Sequence, residues 1–240
     1  MLFPRPTALR CIPFACAAAL LLAACGGDDV TASDPGRPIA AKVQVVGHRG
    51  ASALRPEHTL ASYRKAIEDG ADVIEPDLVA TRDGVLVARH ENEISGTTNV
   101  STLPQFASRK ATRTIDGAQL TGWFTEDFTL AELKTLRARE RIPQIRPANT
   151  AYNDQFEIPT FGEIVALAKQ MSVQTGRTIH LYPETKHPTY FQSIDLPLED
   201  RLVDALLKDP YTARTATIYI QSFEVANLKA IRNRLTSSPA

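Results

Sequence analysis

Apolar residues along this chain fall into short runs, separated by polar clusters that carry histidine, arginine and carboxylates. Lys42 to Val46 reads as a short buried strand, and the polar stretch His48 to Glu57 after it as a loop. Leu60, Tyr63 and Ile67 recur at helical spacing from Thr59 to Glu68, and Gly70 supplies the stop. Ala71 to Val79 is a second strand. Thr81-Arg82-Asp83-Gly84 is a turn, and Val85 to Ala88 is a third strand ending at His90. The stretch from Glu93 to Asn153 is rich in Gly, Thr, Ser and Pro and predicts a single helix, Leu130 to Arg139. Within it, Trp123 and Phe124 admit a pocket-lining role, with packing the favoured reading for an isolated Trp. Phe161, Ile164, Ala168 and Met171 mark a helix over Thr160 to Gln174, with Gly176 beyond its end. Thr178 to Tyr182 is a strand leading into Glu184. Leu198 to Leu207 is helical, Ala216 to Ile220 a strand, and Glu224 to Leu235 a last helix.

Five strands alternating with helices, several ending in polar residues, predict an α/β enzyme of the TIM-type (β/α) barrel. The polar groups spread over at least four strand ends and no Gly-rich dinucleotide loop occurs, which favours a barrel over an open doubly wound sheet. A full barrel has eight strands and about 250 residues. The barrel is therefore expected to be incomplete, the chain being C-terminally truncated.

The first residues have a separate character. Arg5 and Arg10 precede an apolar run from Ile12 to Ala24, too short for a comfortable membrane span and suited to an export signal. Leu22-Ala23-Ala24-Cys25 resembles a bacterial lipobox, and Gly26-Gly27-Asp28-Asp29 opens a polar stretch. The expected organisation is a lipoprotein signal over 1–24, a tether over 25–41 and a catalytic domain over 42–240. Cys25 would then carry a lipid that holds the domain on the periplasmic face of a bacterial membrane. Cys11, Cys16 and Cys25 are the only cysteines, so the domain has no disulfide, thiolate zinc site or catalytic thiol. Lys plus Arg and Asp plus Glu each number 27, which offers no overall attraction to nucleic acid. Oligomeric state is not encoded in these patterns.

Two carboxylates, Glu75 and Asp77, stand one residue apart on a strand and project to the same side. Among core-like Val73, Ile74 and Leu78 they need a cation or strong donors. Glu184 supplies a third carboxylate, and an all-oxygen set favours one divalent cation, calcium first and magnesium as the alternative. His48 and His90 each follow directly on an apolar strand and suit proton transfer near neutral pH. Arg49 is a permanent cation whose planar donor fork matches a phosphate. These groups together describe metal-assisted transfer at a phosphodiester, one histidine deprotonating the attacking oxygen and the other protonating the departing one.

The segments Gly47-His48-Arg49-Gly50, Glu57-His58-Thr59, Glu75-Pro76-Asp77-Leu78, His90, Tyr182-Pro183-Glu184-Thr185-Lys186 and Gln221-Ser222-Phe223 resemble, in that order, the glycerophosphodiester phosphodiesterase family. The Glu-His-Thr and Tyr-Pro-Glu versions are similar to its secreted bacterial branch. The resemblance implies His48 and His90 as catalytic, Arg49 and Lys186 as substrate-binding, Glu75, Asp77 and Glu184 as metal ligands, and Glu57 as helping to organise the metal. It further implies small glycerophosphodiesters as substrates and glycerol 3-phosphate with an alcohol as products. Glu91 stands where the family usually has Asp, and Thr185 where it often has Ile. Two other outcomes stay open: a phospholipase-like reaction forming a cyclic phosphate, and a lipid-anchored binding protein without turnover.

Overall fold

The computed structural model describes residues 43–237. The expected signal and tether, with Cys11, Cys16 and Cys25, lie outside them. From Gln44 onward the chain forms one compact unit. Its strands are β1 (Val46–His48), β2 (Val73–Glu75), β3 (Asp77–Ala80), β4 (Leu86–Ala88), β5 (Ala111–Ile115), β6 (Ala118–Gly122), β7 (His180–Leu181) and β8 (Glu184–Thr185). Its helices are α1 (Leu60–Glu68), α2 (Leu130–Leu133), α3 (Phe161–Thr175), α4 (Pro188–Ser193), α5 (Leu198–Lys208), α6 (Pro210–Arg214) and α7 (Val225–Ser237).

The expected TIM-type barrel is not formed: no sheet among the described residues closes. The strands make a parallel β1-β2-β7 sheet, a mixed β4-β3-β8 sheet and a separate β5-β6 hairpin. Two physical reasons account for this. The four-residue turn from Thr81 to Gly84 can only return the chain antiparallel, and β3 and β4 pair that way, whereas a barrel repeat needs a helical crossover. The stretch Ala216 to Ile220, expected as a strand, contributes only isolated bridges, Leu181 to Ile218 and, just beyond it, Glu184 to Gln221. What remains is an α/β fold with open, mixed sheets.

Single expected elements divide for local reasons. Pro76 has no N–H to donate, and at this residue the Ala71–Val79 run splits into β2 and β3, which belong to different sheets. The expected Leu130–Arg139 helix stops at Leu133. Beyond it the backbone turns to pair with 97–99, Asn99 N donating to Arg137 O at 3.0 Å and Arg139 N to Thr97 O at 2.8 Å. Trp123 is packed, only 8 % exposed, and its Nε1–H donates to Phe106 O at 2.6 Å.

The helices that hold the strands begin where their caps place them. Thr59 Oγ1 accepts from Ser62 N at 3.1 Å and starts α1, whose Tyr63 and Ile67 are fully buried. Thr160 and Glu163 form a reciprocal capping box at the start of α3, and Gly176 in the left-handed region ends it. Phe161, Ile164, Ala168 and Met171 of α3 enter the same apolar core as Tyr63, Ile67, Ile74 and Leu78. Each such large apolar side chain contributes about 1.5–3 kcal/mol on burial.

The loop after β1 lies directly on α1. Gly50 has φ +83, and a Cβ there would stand 2.4 Å from Ser62 Oγ and 2.6 Å from Ser62 C. Gly50→Ala is therefore expected to destabilise the fold by about 2–5 kcal/mol, the sum of a left-handed alanine and local overpacking. Urea denaturation measures it; an unchanged midpoint would show that the loop does not need this approach.

Candidate metal centre

Three carboxylates meet where the two three-stranded sheets adjoin. Glu75 ends β2, Asp77 begins β3, and Glu184 is the register partner of Asp77 on β8. One oxygen from each lies within 4.8 Å of the other two. The residues are 4 %, 0 % and 4 % exposed, so water does little to screen their mutual repulsion. Burial, then the charges of Asp77 and Glu184, push Glu75 up to about 7. Burial and Asp77 also raise Glu184, although Lys186 Nζ donates to its Oε1 at 3.1 Å. Gln221 Nε2 donates to Glu184 Oε2 at 2.8 Å.

Asp77 behaves differently because a buried histidine and an arginine face it. Burial opposes its charge, but His58 and Arg49 outweigh that and hold it at about 2. His58 Nε2 is 3.0 Å and Arg49 Nε 3.3 Å from Asp77 Oδ2. His58 itself is fully buried, and burial lowers its own value. With Tyr63 OH at 2.7 Å from Nδ1, the consistent assignment is a neutral His58 that donates through Nε2 and accepts from the phenol. The other oxygen, Asp77 Oδ1, is buried without a hydrogen bond. A set of three carboxylates, one with an unpaired buried oxygen and one raised to about 7 by burial and repulsion, fits a hard divalent cation.

The surrounding charges come from four segments: those after β1, β4 and β8, and the stretch 141–146. His48 ends β1 with its side chain 64 % exposed and Nε2 3.5 Å from Glu75 Oε2; burial and Arg49 lower its pKa. Arg49 has φ 60 and lies between Asp77 and Glu57, its Nη1 3.7 Å from Glu57 Oε2. Glu57 stands outside the three-carboxylate group, on a cationic side. Arg141 Nε donates to its Oε1 at 2.9 Å, and Arg146 Nη1 is 3.8 Å from Oε2. Burial opposes the charge of Glu57, but His58, Arg141 and Arg49 lower its pKa overall. Arg89, 1 % exposed, donates to Glu57 O at 3.3 Å. His90 acts electrostatically on Asp77 and Glu184, and its Nδ1 is 2.8 Å from Glu91 Oε1. Lys186 reaches Glu184 and, 5.4 Å away, the ring of Phe223.

Several members escaped sequence reasoning. His58 sits inside a quoted motif, but only burial against Tyr63 and Asp77 shows its work. Arg141 and Arg146 lie 84 and 89 positions from Glu57, with no local signal. Asp116-Gly117, by contrast, is a readable hairpin turn: both have positive φ (48° and 82°), joining β5 and β6 through the register pair Ile115 and Ala118. Its tip reaches His187, three residues after Glu184.

A model described as the glycerophosphoryl diester phosphodiesterase family matches residues 48–240. A glycerophosphodiester phosphodiesterase of Arabidopsis thaliana is 37 % identical over 206 residues, 81 % of this chain and 53 % of that protein. One from Haemophilus influenzae is 30 % identical over 199 residues, 80 % of this chain and 52 % of its own length. The chain thus spans about half the length of these curated relatives. In fold it is similar to an Oleispira antarctica phosphodiesterase solved with the product sn-glycerol-3-phosphate. That likeness has a TM-score of 0.53 and 24 % identity, over 81 % of this chain and 63 % of the other.

Calcium or magnesium is expected to raise the melting temperature, and Asp77→Asn or Glu184→Gln to abolish that rise. Binding requires Glu75 to lose its proton, so affinity is expected to be roughly tenfold lower at pH 6 than at pH 8. Without metal the sign reverses for stability. Glu75, raised from an ordinary 4.5 to about 7, contributes fully below 4.5 and loses that contribution as pH rises through about 7. Isothermal titration at the two pH values decides; pH-independent affinity would remove Glu75 from the ligand set.

Proposed function

The chain belongs to the glycerophosphoryl diester phosphodiesterase family, and from that premise we propose that it hydrolyses glycerophosphodiesters to glycerol 3-phosphate and an alcohol. The observation that carries this reading is the convergence of Glu75, Asp77 and Glu184 with Arg49 and two histidines. Glu75, Asp77 and Glu184 would hold one divalent cation. Calcium is preferred, since it accepts several carboxylates in a flexible shell whereas magnesium retains more water. A bound cation polarises phosphoryl oxygens and offsets the charge that grows on them in the transition state.

The chain's own groups do the rest. Arg49 and Lys186 present fixed positive charge to the phosphate. One histidine takes a proton from the attacking water. The other gives a proton to the oxygen of the departing alcohol as the bond from phosphorus to that oxygen breaks. Both can serve, because His48 flanks Glu75 and the charge of His90 is felt by Asp77 and Glu184. The buried His58–Tyr63 pair orients Asp77, as second partners of ligands do in metal sites.

The leader features support a location as well. Among the described residues no helix is long and apolar enough to cross a membrane. The apolar run before Cys25, the Leu22-Ala23-Ala24-Cys25 junction and the acidic stretch after it support export and lipidation at Cys25. The domain would then work on small soluble substrates at the periplasmic face of a membrane, held by more than one acyl chain.

Two experiments test these readings. Glycerophosphocholine with calcium is expected to release glycerol 3-phosphate, and His48→Ala or His90→Ala each to lower kcat by about 10²–10⁴. Phosphorus NMR reads the first product: a cyclic phosphate would make a substrate hydroxyl the nucleophile, and metal binding without turnover would leave a binding protein. For location, mass spectrometry of the mature N-terminus is expected to find a lipidated Cys25. An unmodified residue other than Cys25 at that end would eliminate the anchor.

A further inference from the structure

Beside the carboxylate group, a line of polar contacts leads away from His90 through residues that the chemistry above does not use. His90 Nδ1 is 2.8 Å from Glu91 Oε1. The other oxygen of Glu91 is 2.7 Å from His187 Nε2, and His187 Nδ1 is 2.6 Å from Asp116 Oδ2 at the tip of the β5-β6 hairpin. We propose that Glu91, His187 and Asp116 are positioning residues that fix the ring and tautomer of His90 and make them depend on the seating of this hairpin. The proposal rests on the assignment of His90 to proton transfer.

An ionised carboxylate only accepts, so the hydrogen between Glu91 and His90 belongs to Nδ1. In the neutral ring Nε2 is then the nitrogen with the free lone pair, the one able to exchange a proton with substrate. Left alone, Glu91 could turn away into water, since its side chain is 37 % exposed. His187 prevents this by occupying the second oxygen. Both nitrogens of His187 face carboxylates, so both carry hydrogen and the ring is an imidazolium clamped from two sides. Its side chain is 11 % exposed, which strengthens both contacts relative to water.

The backbone on both sides supports a built connection. His187 has φ 49 and ψ 45 and precedes Pro188, where helical-region geometry is disfavoured. Asp116 has φ 48. Two non-glycine residues in the left-handed region each cost about 1–2 kcal/mol, and here they meet in one ion pair. The hairpin joins neither three-stranded sheet. Farther back it is tied by Arg113 to Tyr190 OH at 3.0 Å. Between the tip and Glu184 lies a cavity of about 120 Å³, lined by Asp116, Glu184, Lys186, His187 and Phe223 among others. The hairpin tip is thus a wall of the site, and through His187 and Glu91 the same wall holds His90.

The first test needs no substrate. In calcium-loaded protein, nitrogen-15 NMR at a pH where His90 is neutral is expected to show its Nδ1–H tautomer, and Glu91→Ala to shift it toward Nε2–H. Asp116→Ala and His187→Ala are expected to give mixtures. In turnover, Glu91→Ala is expected to lower kcat by about 10–100-fold with KM within about twofold, and Asp116→Ala to lower it less. An Nε2–H tautomer in the unaltered protein would overturn the proposal, as would the same tautomer and kcat in Glu91→Ala. If Glu91→Ala does not fold, the unaltered protein and Asp116→Ala decide. An unaltered protein without phosphodiesterase activity would sink the functional reading, while the tautomer still judges this one.

Discussion

Three carboxylates held within 4.8 Å of one another and almost wholly out of water set the terms for everything around them. Such a group repels itself, and burial removes the solvent that would soften the repulsion. The molecule answers unequally. Asp77 receives His58 and Arg49 and keeps its charge, Glu184 receives Lys186 and Gln221, and Glu75, although it accepts from Arg49 N at 3.2 Å, rises to about 7. That asymmetry is what a cation site looks like when its donors are assembled by the fold.

Around this centre the charges form an inner and an outer ring. Arg49 belongs to both, bridging Asp77 and Glu57, while Arg141, Arg146 and Arg89 secure Glu57 from behind. The loop that carries Arg49 has little freedom: Gly50 touches α1, and Arg49 and His58 both sit in the left-handed region. Strained backbone of this kind persists where neighbouring contacts over-determine it, and sites of function collect it. Here the contacts are His58 N to Arg49 O and Arg49 N to Glu75 O.

The short strands make this concentration of charge possible. No strand of either three-stranded sheet exceeds four residues, so polar ends and apolar middles lie close together. Pro76 transfers the chain from one sheet to the other within a single residue, which brings Glu75 and Asp77 to the point where both sheets end. A longer, continuous strand would have spread the two carboxylates along one sheet instead.

Much of the chemistry was legible in the order of residues. Apolar runs ending in His48, Glu75 and His90, helices beginning at Thr59 and Thr160, and the stops at Gly70 and Gly176 are local signals, carried by periodicity and by backbone groups that need partners nearby. The alternation of strands and helices also announced an α/β class. It did not announce the sheet arrangement, because pairing depends on direction and register between segments far apart; the Thr81–Gly84 turn implied an antiparallel β3-β4 pair that the reading as a repeated barrel passed over. Nor did it announce His58 as the partner of Asp77, the arginines around Glu57, or the line from Asp116 to His90. His58 and Asp77 are 19 positions apart, Arg141 and Glu57 84, Asp116 and His187 71, and Glu91 and His187 96, and only packing brings such groups within hydrogen-bonding distance and strips away the water that would otherwise make their contacts weak.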